Sequence, residues 1–200
     1  MATASEDRTA SIRTVTSWDR ADHVLKHDGR VFCARFSPDG SRLYTACSDR
    51  RAHAWDSKTG RRLASFVGHG GQVNWLAASS DGAVLATASS DATVGIWRVA
   101  DAALLRRLVG PSHQVWKVAF SPDASRVAAV SADGAVHLWD TASGRPLPVL
   151  RGHADEAWAV AFAPDGRTLA SGSWDKTVSI HGLSAADVFR SRRALSPAHR

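Results

Sequence analysis

The sequence predicts an all-β fold assembled from copies of one four-stranded sheet, and three observations carry that prediction. First, marker residues recur at a fixed spacing of 42 positions: His27, His69 and His153 with Pro111 at the intermediate place, Asp49, Asp91, Asp133 and Asp175, and Trp55, Trp97 and Trp139 with His181 at the fourth. No insertion or deletion interrupts the spacing, and a fixed period of this length is the signature of a repeat architecture. Second, each period holds short runs rich in apolar and aromatic residues, which read as strands. Third, turn signals separate those runs: SPDG at Ser37 to Gly40, SSDG at Ser79 to Gly82, SPDA at Ser121 to Ala124 and APDG at Ala163 to Gly166.

Within one period the elements follow from residue chemistry. The first strand starts at Val31, Val73, Val115 or Ala157; Val31, Cys33 and Arg35 alternate with Phe32, Ala34 and Phe36. The turn comes next, where proline presets φ, aspartate bonds its own backbone and glycine accepts φ > 0. Ala124 takes the glycine's place in the third copy and should strain that turn slightly. The second strand runs from Leu43 to Cys47 and its copies, a loop carries the recurrent aspartate, and the third strand ends at the tryptophan position. A fourth strand, such as Leu63 to Val67, leads into the next repeat. Four short strands per period match a propeller blade better than a sandwich.

The dipeptides near the ends of each period carry a resemblance. They are Lys26-His27 with Trp55-Asp56, Gly68-His69 with Trp97-Arg98, Gly110-Pro111 with Trp139-Asp140, and Gly152-His153 with His181-Gly182. The chain thereby resembles the WD-repeat β-propellers, whose repeats open on Gly-His and close on Trp-Asp. The resemblance implies four complete four-stranded blades over residues 27–182, a partial N-terminal blade and outer strand over 1–26, and a degenerate strand and tail over 183–200. It leaves function open, because this scaffold hosts many unrelated roles.

Composition bounds the rest. A chain of 200 residues, 44% hydrophobic, can bury a sizeable core. No long apolar run and no basic-then-apolar leader pattern is present, which reads as an intracellular protein, cytoplasmic or nuclear, without a membrane partner. Cys33 and Cys47 on the first two strands of one blade read as small buried residues rather than a disulfide framework. The net charge of +6 comes from arginines scattered over turns and strand faces, an arrangement unlike a nucleic-acid track. Arg190, Arg192, Arg193 and Arg200 in the tail are the only local concentration.

Residues 1–15, MATASEDRTASIRTV, align without gaps on 85–99, LATASSDATVGIWRV, so Met1 stands where Leu43, Leu85 and Leu169 open a second strand. The chain thus starts in mid-blade, and Leu183 to Arg200 is expected to form a short strand or helix and a frayed end. Open blades leave unpaired edges and apolar faces. Three arrangements would meet that cost: a fragment of a longer product, pairing with a second copy, or a small or open ring.

The recurrent polar residues invite a catalytic reading. His27 with Thr45, Asp49 and Trp55, and His69 with Thr87, Asp91 and Trp97, are complete sets; His153, Ser171 and Asp175 lack the tryptophan, while Asp133 and Trp139 stand with Ala129 and Pro111. Read singly this is a hydroxyl, histidine and aspartate of hydrolytic type. A catalytic site is needed once, whereas these recur at the same place in successive blades, and the family resemblance implies a buried hydrogen-bond network instead. No Cys or His pair has metal-ligand spacing, and no glycine-rich phosphate loop appears, so neither a metal nor a cofactor is expected.

The resemblance places partner contacts on the narrow top face, at positions flanking the first valine of the inner strand and before the recurrent aspartate. Carried over, these are Arg30, Phe32 and Ser48; Gln72, Asn74 and Ser90; Gln114, Trp116 and Ala132; Glu156, Trp158 and Trp174. Tryptophan and arginine dominate interface hot spots. Trp75, one residue further along, should point the other way, into the core. The expectation is a non-enzymatic protein-interaction scaffold that binds a peptide or domain, with self-association through open edges as a further partner mode. The alternative is a regulatory or targeting part of a longer, enzymatic polypeptide, and a weaker one is association with RNA or DNA.

Overall fold

The structure is a computed structural model and describes residues 1–14, 16 and 20–183, and the backbone alone for 190–195. The sequence expectations for the link after Thr14 fall partly outside these residues, and those for the tail arginines fall outside them. The described chain is all β. An N-terminal sheet holds β1 (Ala2–Ala4), β2 (Thr9–Ile12) and β3 (His23–Lys26). A second holds β4 (Val31–Phe36), β5 (Arg42–Cys47), β6 (Arg51–Asp56) and β7 (Arg62–Val67). A third holds β8 (Val73–Ala78), β9 (Val84–Ser89), β10 (Val94–Arg98) and β11 (Leu104–Leu108). A fourth holds β12 (Val115–Phe120), β13 (Arg126–Ser131) and β14 (Val136–Asp140), and a fifth β15 (Ala157–Phe162), β16 (Thr168–Ser173), β17 (Thr177–Gly182) and β18 (Arg190–Leu195). All pairings are antiparallel between strands adjacent in sequence.

The fourth sheet departs from the four-strand expectation. Its outer strand is reduced to two bridges, Val136 with Leu150 and Trp139 with Pro146. Pro146 and Pro148 have no N–H to give, so the ladder cannot run on.

The predicted turns close as their chemistry requires. Ser37, Ser79 and Ser121 each donate a side-chain hydrogen bond to the aspartate two residues on, and each accepts one from the backbone N–H that opens the next strand. Gly40, Gly82 and Gly166 have φ of 69°, 70° and 65°, and Ala124 is held at 56° in the same place. A Cβ in the left-handed region costs about 1 kcal/mol or more. Ala124→Gly is therefore expected to raise unfolding stability by about 1 kcal/mol, net of the extra entropy of the unfolded chain; chemical denaturation of the two proteins measures it.

Successive sheets pack side by side in chain order, and each junction is a separate apolar cluster. The face of one sheet that carries Tyr44, Ala46, Ala52 and Ala54 meets Val73, Leu76, Leu85 and Trp97 of the next. The following junctions repeat this with Ala86, Ala88, Val94 and Ile96 against Val115, Val118, Val127 and Trp139, and with Ala128, Val130, Val136 and Leu138 against Ala157, Val160 and Leu169. Ala10, Ile12 and Leu25 of the first sheet meet Val31, Leu43 and Trp55 in the same way. Among the described residues, the first and last sheets share no comparable packing.

Each inner strand carries a register shift at the same place: between Val31 and Cys33, Val73 and Trp75, Val115 and Lys117, and Ala157 and Ala159. The extra residues are Phe32, Asn74, Trp116 and Trp158. A β-bulge breaks strict alternation and re-aims side chains, which decides what the top rim presents.

Candidate functional site

The polar residues assemble differently in each sheet. In the third sheet His69 donates from Nδ1 to Asp91 at 2.9 Å, Thr87 donates to His69 Nε2 at 2.7 Å, and Trp97 Nε1 donates to Thr87 at 2.8 Å. Thr93 and the Gly70 N–H also donate to Asp91. Burial alone would raise the Asp91 carboxyl, but the hydrogen bonds from Thr93, His69 and Gly70 outweigh it and hold it at about 2.

In the second sheet the expected Asp49–His27 contact is not made. Asp49 accepts from His53 Nε2 at 3.0 Å, and His53 Nδ1 pairs with Ser65 at 2.9 Å, which fixes the ring toward the aspartate. His27 donates from Nδ1 to the Leu25 carbonyl at 3.0 Å and keeps Thr45, which also accepts from Trp55. Burial and the neighbouring His53 push the His27 imidazole down to about 4. Burial also lowers His53 and His69.

The fourth sheet reuses the His53 arrangement. His137 donates to Asp133 at 3.0 Å, and Trp139, facing Ala129 rather than a hydroxyl, turns its Nε1 to the Val109 carbonyl at 3.2 Å. In the fifth, His153 bridges Asp175 and Ser171, and His181 Nε2 stands in for the indole donor at 3.1 Å from Ser171. Its Nδ1 is buried without a partner among the described residues. His53, His137 and His181 were missed as network members. The first two sit at one position of alternate repeats, and Gly95 and Ser179 occupy it in the others, so the signal was in the sequence.

These groups are poorly placed for chemistry on a substrate. Thr45 and Thr87 are fully buried, and the one hydroxyl in each set is already shared between an imidazole and an indole. The donor atoms of Cys47, Asp49 and His53 lie within 4.8 Å of one another, the one grouping of metal-ligand type among the described residues. Burial raises the Cys47 thiol to about 11, which opposes the thiolate a metal would take. The Asp–His pair also recurs at Asp133 and His137 with Ser131 in the cysteine's place, so sulfur is not what brings the pair together.

Residues 21–56, 60–98, 103–140 and 144–181 each match the WD domain, G-beta repeat family. The chain belongs to the WD-repeat family. No curated protein matches it. WD-repeat domains are usually non-catalytic interaction modules, and the enclosed hydrogen-bond sets of this WD-repeat chain agree with that. No helix among the described residues is long and apolar enough to cross a membrane.

On the top rim of this WD-repeat chain, the bulge residues and the positions before the aspartates fall into two groups. One group is spent on holding blades together. Asn74, expected to be exposed, is buried, because its amide donates to the Val115 carbonyl of the next sheet at 2.8 Å and to Ser90 at 3.1 Å. Ser90 in turn donates to Gln114, and Ser48 accepts from the Arg30 N–H. Arg30 itself is exposed and lies 3.6 Å from Glu6, while Gln72, Gln114 and Ala132 are half-buried.

The other group is aromatic. Trp116 stacks on Trp158 with centroids 4.0 Å apart, Trp158 meets Trp174 at 5.7 Å, and Trp116 Nε1 donates to Glu156 at 3.0 Å. Trp158 and Trp174 are 39% and 65% exposed. Phe32, Trp75, Trp116 and Trp158 line an apolar cleft of about 280 Å³. Trp75 is thus not the core residue expected. The bulge turns it to a half-buried place between two clusters, with the Arg35 guanidinium 5.0 Å and the Lys117 ammonium 4.7 Å from its ring.

Proposed function

We propose that the chain is an intracellular, non-enzymatic scaffold that docks a peptide or protein domain on the rim centred on Trp116, Trp158 and Trp174. The observation that carries this reading is the three-tryptophan stack beside the apolar cleft, with Trp158 and Trp174 left substantially open to solvent. Large aromatics give much contact area at little entropic cost, and those already stacked lose less on binding. Phe32 and the cleft wall extend the surface, and Glu156 holds the Trp116 indole in place. Arg30 and Gln72 stand beside it as polar rim.

Affinity capture tests the reading with wild type beside a Trp158→Ala, Trp174→Ala variant. Both rings are exposed, so the variant is expected to fold with an unchanged melting temperature while its set of captured proteins loses members by tenfold or more, about 1.4 kcal/mol of binding free energy. Equal capture by both proteins would remove the rim from consideration.

A further inference from the structure

We propose that the chain binds a phosphate ester with a compact apolar body along the inner strands β4, β8 and β12, where Arg35 and Lys117 converge on the ring of Trp75. The Arg35 guanidinium lies 5.0 Å and the Lys117 ammonium 4.7 Å from the centre of that ring, so no more than the sum of those distances separates the two charges. They stand in a cavity of about 510 Å³, a volume in the range of small-molecule sites. Each of the three residues belongs to a sheet with a described neighbour on both sides.

The repeats show that no blade needs these charges. Position for position, Arg35 corresponds to Ala77, Ala119 and Ala161, and Lys117 to Cys33, Trp75 and Ala159. Uncharged residues thus suffice to make the strand, and the three alanines beside Arg35 leave the space that the cavity occupies.

Nor does the chain neutralise the two cations. No acidic residue lines the cavity, and among the described residues neither cation forms an ion pair. Cys33 is close to both, but burial raises its thiol and keeps it neutral. Burial and the Arg35 charge push the Lys117 ammonium below its ordinary value. The face of an indole attracts a cation without cancelling its charge. Two positive charges on one ring are matched by a single dianion, and a phosphate monoester carries nearly that charge at neutral pH. Arginine offers its oxygens a planar fork and lysine a point charge. Phe36, Phe120 and Phe162 wall other parts of the cavity, so the organic part of the ester packs on apolar surface.

Calorimetric titration with phenyl phosphate, inorganic phosphate and phenol tests the site in wild type, Arg35→Ala, Lys117→Ala and the double variant. Alanine is what other repeats carry at both places, so the variants are expected to melt with wild type. Phenyl phosphate is expected to bind wild type one to one, more tightly than inorganic phosphate and more weakly as salt rises. Each single variant should weaken it by about tenfold or more and the double variant should abolish it, while phenol should not bind. Neither Trp158 nor Trp174 lines this cavity, so the Trp158→Ala, Trp174→Ala protein should bind phenyl phosphate as wild type does, which separates this site from the rim. No binding by wild type, equal binding by the double variant, or phenol binding as tightly as phenyl phosphate would each overturn the proposal. Inorganic phosphate binding as tightly as the ester would overturn the part given to the apolar walls.

Discussion

Asp91→Ala is expected to lower unfolding stability by about 3 kcal/mol, the upper end of what stranding buried donors costs. Asp91 gathers His69, the Gly70 N–H, and both the backbone and hydroxyl of Thr93, and through His69 it sets the ring that Thr87 and Trp97 depend on. Removal of the carboxylate leaves the Nδ1–H of His69, 8% exposed, with only the Thr93 hydroxyl at 3.4 Å. Asp91→Asn, which keeps one acceptor, should lose less. Asp101→Ala makes the control, since that exposed carboxylate pairs with Arg98 and accepts the Ala103 N–H at the surface, where an ion pair contributes under about 1 kcal/mol. Denaturant melts of the three variants check the order, and an Asp91→Ala protein as stable as wild type would dismantle the network account.

Acidification is expected to destabilise the fold in two stages. A histidine whose folded pKa lies below its unfolded value of 6.5 costs nothing above that value. As pH falls through 6.5 the unfolded chain takes the proton first, and stability drops until the folded pKa is reached. His27 alone, pushed to about 4 by burial and by His53, accounts for about 3 kcal/mol between pH 7 and pH 4. His53, His69 and His181 are lowered by burial too and act in the same direction. The second stage belongs to Asp91, whose depressed carboxyl stabilises above pH 3.8 and loses that contribution as pH falls toward 2. Thermal melts from pH 8 to pH 3 should therefore be flat at first and then fall steadily below about 6.5. His27→Gln should make the upper part of that fall shallower. A melting temperature independent of pH over that range would contradict the buried, neutral histidines.

The period made the fold legible. A marker such as Asp91 at the same place in four copies fixes where strands begin and end, and turn chemistry from Ser37 to Gly40 and its copies fixes their pairing. The network was legible only in outline. Asp49 takes His53 rather than His27, with His53 also held by Ser65 directly across on β7, and no single-residue spacing encodes that. The rim was the least legible part. Alternation assigns Trp75 to the core, but the register shift between Val73 and Trp75 cancels alternation at that point. The same bulge places Asn74 against Val115, where its amide is spent on the next sheet's backbone, and places Trp116 on Trp158, where its indole N–H goes to Glu156 and its ring face to the neighbouring tryptophan. Equivalent positions thus diverged in use through side-chain chemistry alone. The lost outer strand of the fourth sheet was readable from Pro146 and Pro148.

Because, among the described residues, each sheet packs chiefly on the ones before and after it, cooperativity passes along the chain as a series of nearest-neighbour couplings. The interior sheets, β4–β7, β8–β11 and β12–β14, have two such couplings among the described residues, and the first and last have one. Native-state hydrogen exchange should then be slowest at Leu85 to Ala88 and Val127 to Val130 and should quicken toward Ala2 and Val178, a gradient of opening free energies laid out along the polypeptide.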